Sequence, residues 1–381
     1  MSARGKLSVR AALALGMSLA LLSGARAAGP SWATLQEPPT GIAPAGDIIR
    51  AGHLGREIED TQAIIHFYTD IIGLGIIGPR DAVRPFKLSH PLAEFAELGE
   101  DANAYDSVSR AALLPIPGTA GTATGTQMTI EAIEIKGIKA RHYNPPLSEP
   151  GASYLKLIVR DLDKTLEELK SERFPVITAG EQPLEQAAWP GIRGQVRAVF
   201  VRDPDGYPVE LMQITPAPET NAPADSKVLG ARVVLVVDNL ETTARMVQSL
   251  VGPDFKLWAS PGWMGDAAYE KLTGVRGPFR LAQALVPGSP VVMEFVEYEQ
   301  HNRNFTHAFI QDPGTAHFLF FSKDVDRVIP RVKAGGWHTL SRSNAPVFIG
   351  PTTRSFFVPD PEGFWLEFMD RDVKTDPAAH K

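Results

Sequence analysis

Four times along the chain a stretch of alternating apolar and polar residues runs directly into a helical pattern. The alternating stretches are His53-Leu54-Gly55-Arg56-Glu57-Ile58, Tyr154-Leu155-Lys156-Leu157-Ile158-Val159, Arg232-Val233-Val234-Leu235-Val236-Val237 and His317-Phe318-Leu319-Phe320-Phe321-Ser322. A period of two predicts a strand with one buried face, and the three-and-four spacing that follows predicts an amphipathic helix. Asp161 or Asp163 is placed to cap a helix whose Leu162, Leu166 and Leu169 share a face, and Asn239 one carrying Leu240, Val247 and Leu250. Asp324 or Asp326 opens another, stopped by Gly335-Gly336, and the first, around Phe67 and Ile71, ends at Gly73-Leu74-Gly75.

Later in each segment a second strand pattern carries a glutamate between apolar residues. These are Thr129-Ile130-Glu131-Ala132-Ile133, Val209-Glu210-Leu211-Met212, Val292-Met293-Glu294-Phe295-Val296 and Leu366-Glu367-Phe368-Met369. Two of them follow the same turn, Asp203-Pro204-Asp205-Gly206 and Asp360-Pro361-Glu362-Gly363. The openings of segments two and four also align, Glu149-Pro150-Gly151-Ala152-Ser153-Tyr154 with Asp312-Pro313-Gly314-Thr315-Ala316-His317, so Tyr154 takes the histidine's slot. Recurrence at this scale means one structural unit used repeatedly.

Residues 1–27 have the three parts of an export signal. Arg4, Lys6 and Arg10 form the positive start, Ala11 to Leu22 the apolar stretch, and Ala25-Arg26-Ala27 a small-x-small cleavage site. The apolar stretch is short for a membrane span, and although it could serve as an anchor, the Ala-Arg-Ala ending favours cleavage. Residues 28–45 form a Pro/Gly-rich linker, 46–215 a first domain, 216–227 an exposed linker, 228–372 a second domain and 373–381 a polar tail. Among 381 residues there is no cysteine, which excludes a disulfide framework and a lipid-anchored cysteine. The whole chain has 38 basic and 44 acidic side chains, and loss of Arg4, Lys6, Arg10 and Arg26 would move the balance from −6 to −10. That excludes nucleic acid and an anionic membrane surface as expected partners, leaving a periplasmic or secreted chain with no membrane attachment after signal removal.

The repeated turns with their glutamates, His53 and His317 at strand openings, and the Asp-Leu-Asp at 161–163 together resemble the vicinal oxygen chelate superfamily. That group includes glyoxalase I, bleomycin and fosfomycin resistance proteins and extradiol dioxygenases. The resemblance covers nearly all of residues 46–372. It implies an α+β fold of four βαβββ modules, paired so that their curled sheets make two cups, with metal ligands on the first and last strands. Carried over residue by residue, the first-strand slots are His53, Tyr154, Arg232 and His317, and the last-strand slots Glu131, Glu210, Glu294 and Glu367.

Pairing neighbouring modules would leave two damaged sites. Pairing one with four and two with three collects His53, Glu131, His317 and Glu367 in one cup, and Tyr154, Glu210, Arg232 and Glu294 in the other. The first set would hold one divalent ion, Zn, Ni, Co, Mn or Fe. In the second, Arg232 would repel a cation and pair with Glu210 or Glu294. A histidine at a strand start is more often a polar edge residue than a ligand, but two at equivalent repeat positions shift that balance. Glu131 competes with Glu134 on the opposite strand face, and its alignment with Glu210 and Glu367 decides for it. Alternation also puts Trp365, Glu367 and Met369 in the cup and Phe364, Leu366 and Phe368 under a helix. His301 and His307 read as solvated loop residues, and His66, His90, His142, His338 and His380 belong to no constellation.

The resemblance implies chelation of adjacent oxygens on a small-molecule substrate, with Glu131 or Glu367 moving a proton in isomerase or lyase chemistry of glyoxalase type. One alternative is ring cleavage by an iron dioxygenase using two histidines and one carboxylate; another is a resistance-type binding protein without chemistry. Fused modules already supply the pairing that smaller relatives obtain by dimerising, so a monomer is expected.

Overall fold

The computed structural model describes residues 30–78 and 108–377, except 123, 138, 187–188, 266, 301–307 and 342. The export segment 1–27 and His90, His301, His307 and His380 lie outside the described residues. Segment one contributes β1 (Ile48–Ile58), the short helix α1 (Thr61–Ile65) prolonged by a π-helical turn to Ile71, β2 (Val108–Pro115) and β3 (Thr129–Ile135). Segment two contributes β4 (Ser153–Val159), α2 (Leu162–Ser171), β5 (Leu184–Gln186), β6 (Gln195–Arg202) and β7 (Pro208–Thr215). Segment three has β8 (Val228–Val236), α3 (Leu240–Val251), β9 (Trp258–Ala259), α4 (Ala267–Thr273), β10 (Phe279–Leu285) and β11 (Val292–Tyr298). Segment four has β12 (Ala316–Ser322), α5 (Ile329–Ala334), β13 (Val347–Phe348), β14 (Thr353–Pro359) and β15 (Trp365–Arg371).

Helix starts follow from their caps. Asp60 accepts from the backbone N–H groups of Gln62 and Ala63, Asp161 from Lys164, and Asn239 from Thr242. Each cap satisfies donors that the helix cannot, worth about 1 kcal/mol. Asp324 caps a 3-10 turn at Val325–Arg327 that precedes α5, and Gly336, at φ +73°, follows that helix. The helices bury one face: Leu162, Leu166 and Leu169 in α2, and Leu240, Val247 and Leu250 in α3.

The strands form two mixed sheets. One runs β13-β14-β15-β12-β1-β3-β2, the other β5-β6-β7-β4-β8-β11-β10-β9. The first is therefore built from segments one and four, the second from two and three. Each centres on an antiparallel pair that joins two segments, β1 with β12 and β4 with β8. Both sheets thus draw strands from either side of residues 216–227, where no helix or strand lies. One continuous core joins Leu54, Phe318 and Phe368 of the first sheet to Leu157, Val233 and Phe295 of the second, with the apolar faces of α2 and α3.

The two Asp-Pro turns are built alike. Asp203 Oδ1 accepts from the backbone N–H of Asp205 and Tyr207, and Asp360 Oδ1 from Glu362 and Phe364. Gly206 and Gly363 sit at φ +82° and +90°, a region only glycine enters without strain. Each turn docks on the opposite sheet. Arg56 of β1 donates to Asp203 Oδ2 at 2.8 Å, and the Thr243 hydroxyl of α3 donates to Glu362 Oε2 at 2.8 Å.

Candidate metal centre

Register brings four side chains to one place. On β1, Gly55 stands opposite His317 of β12 and Glu131 of β3, and His53 lies one strand period away on the same face as Gly55. On β15, Glu367 stands opposite Leu319 of β12. In a flat sheet β15 and β3, three strand spacings apart, would be separated by about 14 Å. Yet His53 Nε2 lies 2.9 Å from Glu367 Oε2 and 3.1 Å from Glu131 Oε2, so the sheet curls around this point. His317 Nε2 completes the group, 3.1 Å from His53 Nε2 and 3.6 Å from Glu367 Oε2.

Curling alone would not admit His317. A β-carbon at Gly55 would fall 1.9 Å from its Cε1, so the imidazole occupies the volume that a side chain on β1 would need. Phe357 supports the same ring edge-on, with centroids 5.3 Å apart. Glu367 is fixed by the Ser355 hydroxyl, which donates to its Oε1 at 2.5 Å. Glu134 is turned to the other face, where it accepts from the backbone and hydroxyl of Thr61 at the start of α1.

The donor set fits a divalent cation. Ligands 2.0–2.2 Å from one ion sit about 3.0–3.5 Å from each other; His53 Nε2 lies 2.9–3.1 Å from the other three donors and His317 Nε2 3.6 Å from Glu367, while the donors of His53, Glu131 and His317 all lie within 4.8 Å of one another. Two imidazole nitrogens face to face share at most one proton, and two carboxylates add only acceptors. His317 Nδ1 is buried without a hydrogen-bond partner, with Glu57 Oε1 3.9 Å away. Burial and the neighbouring His53 push His317 down to about 3. Burial would lower His53 too, but Glu131 and Glu367 outweigh it and hold that imidazole above its usual range. Glu131 is raised by burial and by Glu367, whereas His53 and Ser355 hold Glu367 low against the upward push of its own burial. A cation would take all four as bases.

Solved structures share this architecture. Glyoxalase I from Zea mays matches at a TM-score of 0.54 and 19% identity, over 84% of this chain and 92% of that one. A putative dioxygenase from Bacillus subtilis subsp. subtilis str. 168 matches at 0.52 and 14%, over 88% of each chain. The chain has the vicinal oxygen chelate fold. No protein-family model and no curated protein matches it.

Within that fold, the second cup carries a different chemistry. Arg232 Nη1 donates to Glu294 Oε1 at 2.7 Å, and Tyr154 is buried edge-on against Phe200. Between Glu210 and Glu294 stands Lys156, its Nζ 3.3 Å from one carboxylate and 2.9 Å from the other, and 3.8 Å over the ring of Trp189. An ammonium occupies the centre where the first cup gathers its donors. Glu294 also accepts from Gln283 and Trp189. Burial would raise this carboxyl, but Lys156 and Arg232 overcome it and hold it at about 2. Only Arg232 was expected to bring positive charge here. Lys156 escaped notice because it fills no ligand slot, although strand alternation places it on the face of Tyr154, two residues before it.

Other side chains follow alternation. Phe364, Leu366 and Phe368 enter the main core, while Trp365 packs near Ile310, Leu340 and Phe357 on the side of the metal-ligand candidates. His142 and His338 are exposed, and the half-buried His66 pairs with Asp70 one helical turn on.

Proposed function

We propose that the protein is an exported enzyme that uses one divalent ion, held by His53, Glu131, His317 and Glu367, to bind adjacent oxygens of a small organic substrate and move a proton beside them. The observation that carries this reading is the gathering of donors from four neighbouring strands around His53 Nε2, which lies 2.9–3.1 Å from the other three. A divalent cation there would supply Lewis acidity, stabilising negative charge as it develops on a substrate oxygen. The imidazoles of His53 and His317 would hold it through Nε2, the atoms that lie closest together. Glu367 is anchored from behind by Ser355, which suits a fixed ligand. Glu131 is the more open carboxylate, with 13% of its side chain exposed against 4% for Glu367, and is our choice for the base. It would take the proton from one oxygen-bearing carbon of the substrate and return it to the adjacent one in an isomerisation.

Both carboxylates lie within reach of His53, which favours a non-redox ion over an iron dioxygenase that would use only one. Export rests on residues 1–27; no helix among the described residues is long and apolar enough to cross a membrane. The test is metal analysis of the mature protein beside His53→Ala and His317→Ala. Each substitution alone is expected to empty one shared site. Loss of half the metal in each variant would mean two separate sites, oxygen uptake dependent on ferrous iron would restore the dioxygenase, and absence of metal in the wild-type protein would leave a binding role.

A further inference from the structure

The second cup is packed at one end and open at the other. Toward Tyr154 it is filled by the stacked rings of Trp189, Tyr269 and Phe279. Past the Lys156 cluster, toward Ile158, it opens into a cavity of about 790 Å³. Ile158, Ile214, Leu229, Leu285 and Val292 make its wall apolar, and Arg232 is the charged residue that lines it from within the sheet. Arg232 is only 6% exposed. Its Nη1 donates to Glu294 at 2.7 Å, and the residue lines the cavity, so a planar guanidinium with further donors meets that space. Small-molecule sites have this form: about 300–1,000 Å³, mostly apolar, with few convergent polar groups.

We propose that this open half of the second cup binds a small organic carboxylate with an apolar tail. The carboxylate pairs with the Arg232 guanidinium, whose planar donors match two carboxylate oxygens. The tail lies against Ile158, Ile214, Leu285 and Val292. Charge does not oppose this occupant: Lys156 and Arg232 are balanced by Glu210 and Glu294 within the sheet, and at the rim exposed Arg193 offsets Glu219. The site uses no residue of the first cup, so it stands or falls apart from the metal.

The test is calorimetric titration of the mature protein, stripped with chelator, with 4-tert-butylbenzoate and with 4-tert-butylbenzamide. The acid is expected to bind at least tenfold more tightly than the amide, and Arg232→Gln to reduce the acid to the amide's affinity. Gly230→Phe locates the site. A β-carbon at Gly230 meets only Ile158 Cδ1, at 3.6 Å, so the backbone accepts a side chain there, and the ring would fill the cavity. This variant is expected to lose binding of the acid while keeping the wild-type unfolding temperature within a few degrees. Equal binding of acid and amide to the wild-type protein, binding of neither, or undiminished binding by Gly230→Phe would each overturn the proposal. The acid-to-amide comparison needs no variant to fold.

Discussion

At the scale of single residues, the first cup depends on what is missing from β1 as much as on what it carries. The His317 ring lies where a Gly55 side chain would be, so Gly55→Ala must displace the imidazole or the strand. We expect at least a tenfold loss of metal affinity in a competition titration; unchanged affinity would show that the ring can shift without cost. Ser355→Ala acts from the other side, releasing Glu367 from its 2.5 Å hydrogen bond. Outer-shell partners of this kind typically contribute 10–100-fold in affinity, and a loss of that order is expected in the same titration. The four candidate ligands were legible in the sequence because each repeats a slot filled elsewhere in the chain. Lys156 and Ser355 were not, because nothing in a repeat marks a residue that serves its neighbours across strands.

At the scale of elements, the central strands of the two sheets solve the same problem differently. Where β1 and β12 bring imidazoles to acidic partners, β4 and β8 bring an ammonium and a guanidinium. Lys156 and Arg232 therefore hold Glu294 at about 2 in the folded chain, against an ordinary value of 4.5. A depressed carboxyl stabilises the fold fully above its unfolded value and loses that contribution as pH falls from about 4.5 toward 2. Glu294→Gln is expected to be less stable than wild type at pH 7, and the gap in urea midpoints to narrow by pH 3. A gap independent of pH would mean that packing, not charge, is what the substitution removes. Strand and helix positions were readable from periodicity and caps. The cavity was not, since it is a space between β4, β7, β8, β10 and β11 and leaves no mark on any one of them.

At the scale of the whole molecule, sorting ligand-type residues into a complete set and a charged set pointed to the crossed arrangement, and the sheets do join segment one to four and two to three. No pattern inside a single segment carries that information; it emerges only from comparing all four. One consequence is that residues 28–221 and 222–381, made as separate polypeptides, should each lack a complete sheet. We expect neither fragment alone to unfold cooperatively or retain metal, and a mixture to recover both, read by calorimetry and metal analysis. A cooperative transition in either fragment alone would show that half the chain is a self-sufficient domain.

His53 and His317 are separated by 264 positions, yet their rings touch. A polypeptide threaded through a membrane from its N-terminus would carry β1 across long before β12 arrives to meet it. The ion could then be captured only after almost the entire length had crossed, so the metal supply of the destination compartment, rather than that of the cytoplasm, would decide which element the protein acquires.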